Sequence, residues 1–380
     1  VYRCEYCGSE YTGDYTNPTG HSYRYHDHQD ATCQHKGGDV YICDKCGDTY
    51  CDETEDMHHV FQNGKCIICG IDDPSAQVIT GTTGDCNWSF NESTETLTIS
   101  GNGSMGNYSS SSSIPWKNYS ITNVVFEDGV TNIGERAFYN FTNLANVTIS
   151  DTVKSIEEYV FYNCDGLTNV TIPDGVTSIG NYAFRDCSNL KTISFPASVT
   201  SIGERAFIYC SKLETIDLSN NIEYIGEGAF SNTGWSSNHP DGPAYFGKIL
   251  YKYFGQCPDE VVIKEGTTAI TNSAFINRTT LKRVKLPNSL TEIPQEAFLG
   301  CTNLESVELS QSITTIKRLA FRTCTNLKQI IIPSNVTVIE EMALGYINTT
   351  EKVEGFTIYG EPNTAAETYA NDNGFSFNGN

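Results

Sequence analysis

Long apolar runs are missing from this chain of 380 residues. No stretch approaches the roughly 18 consecutive apolar positions of a membrane-crossing helix, which predicts a chain that is not membrane-spanning. Basic side chains are scarce: Lys plus Arg number 24 against 46 Asp plus Glu, a formal net charge of −22. That balance argues against a nucleic-acid partner, because phosphate binding needs clustered cations. It suits a soluble, self-repelling surface protein. The common catalytic signatures are also absent: there is no Gly-x-Ser-x-Gly, His-Glu-x-x-His or P-loop. Gly101-Asn102-Gly103-Ser104-Met105-Gly106 matches Gly-x-Gly-x-x-Gly, but the polar run to Trp116 is not the helix a pyrophosphate site needs. The chain starts at Val1 rather than Met, so a removed leader is neither shown nor excluded.

Cysteine and histidine are present but unevenly spread. Eight of the 15 cysteines and six of the seven histidines lie in the first 70 residues. This contrast predicts two domains, a Cys-rich module over 1–73 and a second domain over 74–375. The module holds three Cys-x-x-Cys-Gly knuckles, Cys4/Cys7, Cys43/Cys46 and Cys66/Cys69. Two intervening residues let both sulfurs reach one cation, and the glycine allows the tight turn. Zinc takes four N or S ligands, so the favoured partition gives one ion Cys4, Cys7, His21 and Cys33, and a second Cys43, Cys46, Cys66 and Cys69. A competing partition uses Cys33, Cys43, Cys46 and one of His58 or His59. A disulfide framework is the other alternative, since an exported chain meets an oxidising medium. About two structural zinc ions would replace the core that so polar a segment cannot build.

The rest of the chain is periodic. Phe138, Phe161, Phe184, Phe207 and Phe230 follow one another at 23 residues, and the step resumes at Phe275, Phe298 and Phe321 with Leu344 next. The gap of 45 from Phe230 to Phe275 is close to two periods and predicts an irregular repeat. Downstream of the Phe runs a pattern of the form Cys-x-x-Leu-x-x-Val-x-Ile-Pro, as at Cys164, Leu167, Val170, Ile172 and Pro173, with Phe141, Thr233 and Arg278 replacing Cys in three repeats. Val-x-Ile is strand alternation, and Pro and Gly punctuate the turn. One unit of this length cannot bury its own apolar side, so stacked units must share a core. The phenylalanines are then a spine, and Cys164, Cys187, Cys210, Cys301 and Cys324 a ladder of buried thiols.

Segments such as "LTNVTIPDGVTSIGNYAFRDCSNLKTISFP" resemble the BspA-like, or Treponema-type, leucine-rich repeat. The resemblance covers about residues 80–375. It implies a β-rich, right-handed leucine-rich-repeat solenoid with short strands on one face. It extends to an entry cap over 80–120 with the Pro115-Trp116 turn, an irregular insertion over 231–260 and a C-terminal cap over 353–380. The segment with Cys33, Cys43, Cys46, Cys66 and Cys69 resembles small zinc-ribbon-like modules of surface proteins. Family members are mostly exported or on the cell surface, several taken to be adhesins. The resemblance therefore implies non-enzymatic, extracellular binding of a host or matrix protein or a glycan. Alternatives are a targeting module of a secreted carbohydrate-active protein and a structural cell-wall spacer.

Solenoids bind through the extended surface of their sheet. The outward positions are neutral in the first repeats (Asn146, Thr148, Asn169, Thr171, Thr192, Ser194) and charged later. Lys282, Arg283 and Lys285 face Glu305 and Glu308 at matching positions, followed by Lys328. This arrangement predicts cross-strand ion pairs and a candidate binding strip. Trp235 and Tyr245, in the aromatic insertion, are the other candidates.

Overall fold

The computed structural model describes residues 78–379 in full and, before them, only the backbone of short strands. The chain divides into two compact units, Val1–Ile79 with Asn91–Thr94, and Thr80–Phe90 with Glu95–Asn380. In the first unit, strands Tyr23–Gln29, Gly38–Cys43 and Thr49–Cys51 form an antiparallel sheet. The side chains of Cys4, Cys7, His21, Cys33, Cys43, Cys46, His58, His59, Cys66 and Cys69 lie outside the described residues.

The second unit is a β-solenoid whose strands pair in parallel at the repeat length. Asn123–Phe126 pairs with Asn146–Thr148, and Arg283–Lys285 with Ser306–Glu308, each residue opposite the one 23 later. This is the row that Val-x-Ile alternation predicts. A second row of two-residue strands runs beside it: Ser155, Ser178, Ser201 and Tyr224 stand in line, with Ile156, Ile179, Ile202 and Ile225 buried next to them. Period-2 alternation is too short in Ser-Ile to be read as a strand from sequence.

Behind the rows, each Phe is sealed from solvent, and the rings stack from turn to turn within two runs, Phe138 to Phe230 and Phe275 to Phe321. Phe184 and Phe207 lie 5.0 Å apart at 5°, and Phe298 and Phe321 5.1 Å apart at 3°. Each such offset pair adds roughly 0.5–1.5 kcal/mol beyond burial. The thiols form the expected ladder: Cys164, Cys187, Cys210, Cys301 and Cys324 are free and buried, each Sγ donating to the carbonyl of the Phe 26 residues earlier, at 3.1–3.2 Å. Burial pushes the pKa values of Cys164, Cys210 and Cys324 up, and that of Cys301 to about 12.

The Phe turn is tight enough to need two left-handed residues. Arg136, Tyr159, Tyr182 and Arg205 recur at φ between 50° and 58°, and Asn140, Asn163, Asp186 and Tyr209 recur four residues further on. A bulky side chain in this region costs of order 1–2 kcal/mol. The backbone is held there by its neighbours: Phe161 N–H reaches Ala183 O at 2.7 Å, and Phe184 N–H reaches Ala206 O at 2.8 Å.

That inter-turn ladder ends in three places, each with an aromatic polar group in the missing position. At the entry, Trp116 Nε1 donates to Ala137 O at 2.9 Å. At the insertion, Phe230 N–H donates to the Tyr251 hydroxyl at 2.9 Å. At the C-terminal cap, Leu344 N–H donates to the Tyr369 hydroxyl at 3.1 Å, which itself donates to Leu344 O. Tyr369 lies on the helix Ala365–Asn373, which ends at Gly374 in the left-handed conformation expected of a helix stop.

Candidate functional site: the outward sheet face

The first strand row carries two lines of outward side chains in its C-terminal half. Register places Glu260 beside Arg283 and Arg283 beside Ser306, then Gln329 beside Thr357. The parallel line joins Val262 to Lys285, Lys285 to Glu308, and Ile331 to Tyr359. Glu308 and Ile331 belong to consecutive turns of the same row.

The expected ion pair between Lys285 and Glu308 forms at 3.2 Å. Lys282 and Glu305 are backbone neighbours as predicted, but the Lys282 ammonium turns to Asp259 at 2.7 Å. Lys328 instead reaches the carbonyl of Glu354 at 3.5 Å. Arg283 meets Glu260 at 3.1 Å. The hydrogen bond from Lys282 holds the Asp259 carboxyl below its usual range and raises Lys282 in turn. All these side chains stay largely in water, so their worth lies in fixing a pattern more than in stability.

Two residues of the face escaped sequence reasoning. Val262 and Ile331 are 63% and 61% exposed, the most open large aliphatics among the described residues. They occupy positions where earlier repeats carry Thr171 and Ser194. That substitution of an aliphatic for a hydroxyl at a known outward position was the available signal. Asp259 and Glu260 were hidden for another reason: they lie in the stretch assigned to the insertion, although they stand 23 residues before Lys282 and Arg283.

The insertion aromatics are placed differently. The irregular repeat is a hairpin, Gly242–Phe246 with Ile249–Phe254, and Tyr253 fills the spine position, its ring 5.6 Å from Phe275. Trp235 is half-buried, stacked 5.3 Å from Phe246 and edge-on to Phe230 and Phe254. Tyr245 packs against the core, and its hydroxyl accepts from Lys264 N–H at 3.2 Å. Both residues therefore complete the solenoid where its repeat is broken. They do not join Lys282, Arg283, Lys285, Glu305 and Glu308 in one site. Beside Trp235 a cavity of about 190 Å³ is lined by Ser231, Asn232, Ser236, Ser237, Lys252 and Phe254. Burial lowers the pKa of Lys252, with Arg278 adding to it.

These features define the chain as a leucine-rich-repeat protein. Residues 112–236 and 247–367 match the BspA type leucine rich repeat region in six copies, and the chain belongs to that family. Among solved structures it is similar to a leucine rich cell surface protein from Faecalibacterium prausnitzii A2-165, at 26% identity over 80% of this chain and 96% of that one, TM-score 0.40. A leucine-rich repeat protein from Eubacterium ventriosum ATCC 27560 matches at 21% identity over 75% of this chain and 94% of that one, TM-score 0.37. The leucine rich repeat protein of T. pallidum matches at 21% identity over 60% and 81% of the two chains, TM-score 0.28. No curated protein matches the chain. Among the described residues, no helix is long and apolar enough to cross a membrane.

Proposed function

We propose that the chain is a non-enzymatic recognition protein that works outside the cell and binds a protein partner through the C-terminal half of its outward sheet face. The observation that carries this reading is the line Val262, Lys285, Glu308, Ile331 and Tyr359. It sets two exposed aliphatics and an aromatic around an ion pair, on two short parallel sheets of consecutive turns. Interfaces use such a mixture, apolar anchors for affinity and fixed charges for register. The N-terminal half of the same row presents Asn146, Thr148, Thr192 and Ser194 instead, so the face has a polar end and an anchoring end. Family membership supports a binding role, and a host or matrix protein is the partner class in view.

Binding of the full chain to immobilised matrix glycoproteins, with and without their glycans, tests the reading. Val262→Asp with Ile331→Asp should abolish a protein-dependent signal. A signal that survives both changes overturns the assignment of the face. A signal that follows the glycan would favour the second reading, a carbohydrate-targeting role. The half-exposed Trp235, His239 and Phe254 beside the Lys252 cavity favour that reading, because such rings stack on sugars. For the N-terminal module we propose about two structural zinc ions, on the strength of its cysteine spacing.

A further inference from the structure

The two strand rows end differently at the C-terminal cap. The first row runs on into the cap: Gln329–Ile331 pairs with Thr357–Gly360, which pairs with Ser376–Gly379, the last strand of that row. The second row stops at Val338–Ile339, paired only on the side of Thr315–Ile316. Along this row each strand's carbonyls accept from the next turn. Thr291 O accepts from Thr314 N–H at 2.8 Å and Ile293 O from Lys317 N–H at 2.9 Å. Thr314 O and Ile316 O do the same for Thr337 and Glu340, at 2.8 and 2.9 Å. Thr337 O and Ile339 O come next in this series, and no donor among the described residues reaches them.

The helix Ala365–Asn373 packs beside this edge without hydrogen bonding to its carbonyls, and the two together line a groove of about 730 Å³. One wall is Val336, Thr337, Val338 and Ile339, with Val338 45% exposed. The other is one face of the helix, Ala365, Thr368 and Asp372, at helical spacing. Glu340, Glu341 and Asp372 rim it; Arg318 pairs with Glu341 at 3.5 Å and its backbone N–H donates to Glu340 at 2.8 Å, while no lysine or arginine lines the groove itself. Natural proteins blunt an open strand edge with lysine, proline or a cover. This edge carries neither lysine nor proline, the helix beside it leaves the two carbonyls without donors, and carboxylates rim the groove.

We propose that this groove is a docking site for an extended, lysine- or arginine-bearing segment of another protein, which adds a parallel strand to the second row. Two backbone amides of the incoming segment donate to Thr337 O and Ile339 O. Side chains on one side of the segment pack on Val338 and the helix wall, and basic ones meet Glu340, Glu341 and Asp372. Strand addition of this kind takes its affinity from main-chain hydrogen bonds and its specificity from alternate side chains. The groove lies apart from the Val262–Tyr359 line, so the two sites stand or fall separately.

The test uses the full chain and a short fluorescent peptide of alternating lysine and valine, followed by polarisation. A second peptide of the same sequence carries N-methyl groups on alternate amides, which removes the donors and keeps every charge. The expected result is saturable binding of the first peptide and at least roughly tenfold weaker binding of the second, the size of one or two lost hydrogen bonds. Thr368→Trp, at an exposed position on the helix wall, should fill the groove and abolish binding with no loss of folding. Asp372→Lys should weaken it at low salt. Equal binding of the two peptides, or binding untouched by Thr368→Trp, would show a general attraction to an acidic chain and overturn the proposal. A dimer in sedimentation that Thr368→Trp dissolves, without peptide binding, would assign the edge to a second copy of this chain and also overturn it.

Discussion

Tyr251→Phe removes one oxygen from a fully buried ring and leaves no cavity, so its cost reports the hydrogen bonds of that hydroxyl, to Phe230 and to Ser231. The hydroxyl accepts from Phe230 N–H at 2.9 Å, in the position where other turns supply a backbone carbonyl. The phenylalanine variant leaves that buried N–H without an acceptor, a penalty of about 1–3 kcal/mol. Burial raises the Tyr251 pKa from 10.0 to about 12. The sign follows: the unfolded chain loses this proton first, so the contribution is complete below about pH 10 and is lost as pH rises toward 12. Urea unfolding followed by circular dichroism, at neutral pH and again at pH 11, measures both parts. The variant should be less stable at neutral pH and should lose less than the parent on going to pH 11. A difference under about 0.5 kcal/mol at neutral pH would refute the capping role.

Other outcomes follow from the same geometry. Phe207→Ala, which opens the middle of the stacked spine, should cost roughly 3–5 kcal/mol in urea unfolding, while Lys212→Ala in the same turn should stay within about 0.5 kcal/mol. In the native protein Cys164, Cys187, Cys210, Cys301 and Cys324 should resist a thiol reagent at neutral pH and react fully once it is denatured, because all five are buried out of the reagent's reach. A double-mutant cycle on Lys285 and Glu308, whose side chains are 58% and 70% exposed, should give coupling below about 0.5 kcal/mol that vanishes at high salt. Elemental analysis should find close to two zinc ions per chain. Absence of zinc with blocked thiols in the first 70 residues would replace the metal module with disulfides.

Much of the solenoid was written in the spacing of single residue types. Phe and Cys recur because every turn must fill the same space, so identity and period together give the spine and the thiol ladder. The Ser-Ile row was not legible, because two residues cannot display a period. The aromatic caps were hidden for a different reason. Trp116, Tyr251 and Tyr369 act through one polar atom at a place where the repeat fails, and a break in periodicity gives no pattern to read. On the outward face, sequence registered the Lys285–Glu308 pair but not the partners of Lys282 and Lys328. The step from Lys282 to Asp259 crosses into the irregular repeat, where counting by 23 still holds although the consensus does not. Val262 and Ile331 went unnoticed because exposed aliphatics on a strand look like core residues until the facing direction of the strand is known.

The irregular repeat has a mechanical consequence. Between Trp116 and Tyr251 the first stack of turns is closed at both ends by its own aromatic donors and acceptors, and the turns from Tyr253 to Tyr369 form a second stack. The two-residue strands run as one sheet as far as Tyr224–Ile225, and the next sheet of that row begins with the hairpin. A chain pulled along its length should therefore yield in two events rather than one, parting first at the hairpin. A solenoid built this way can lose one stack under load and still present the other folded.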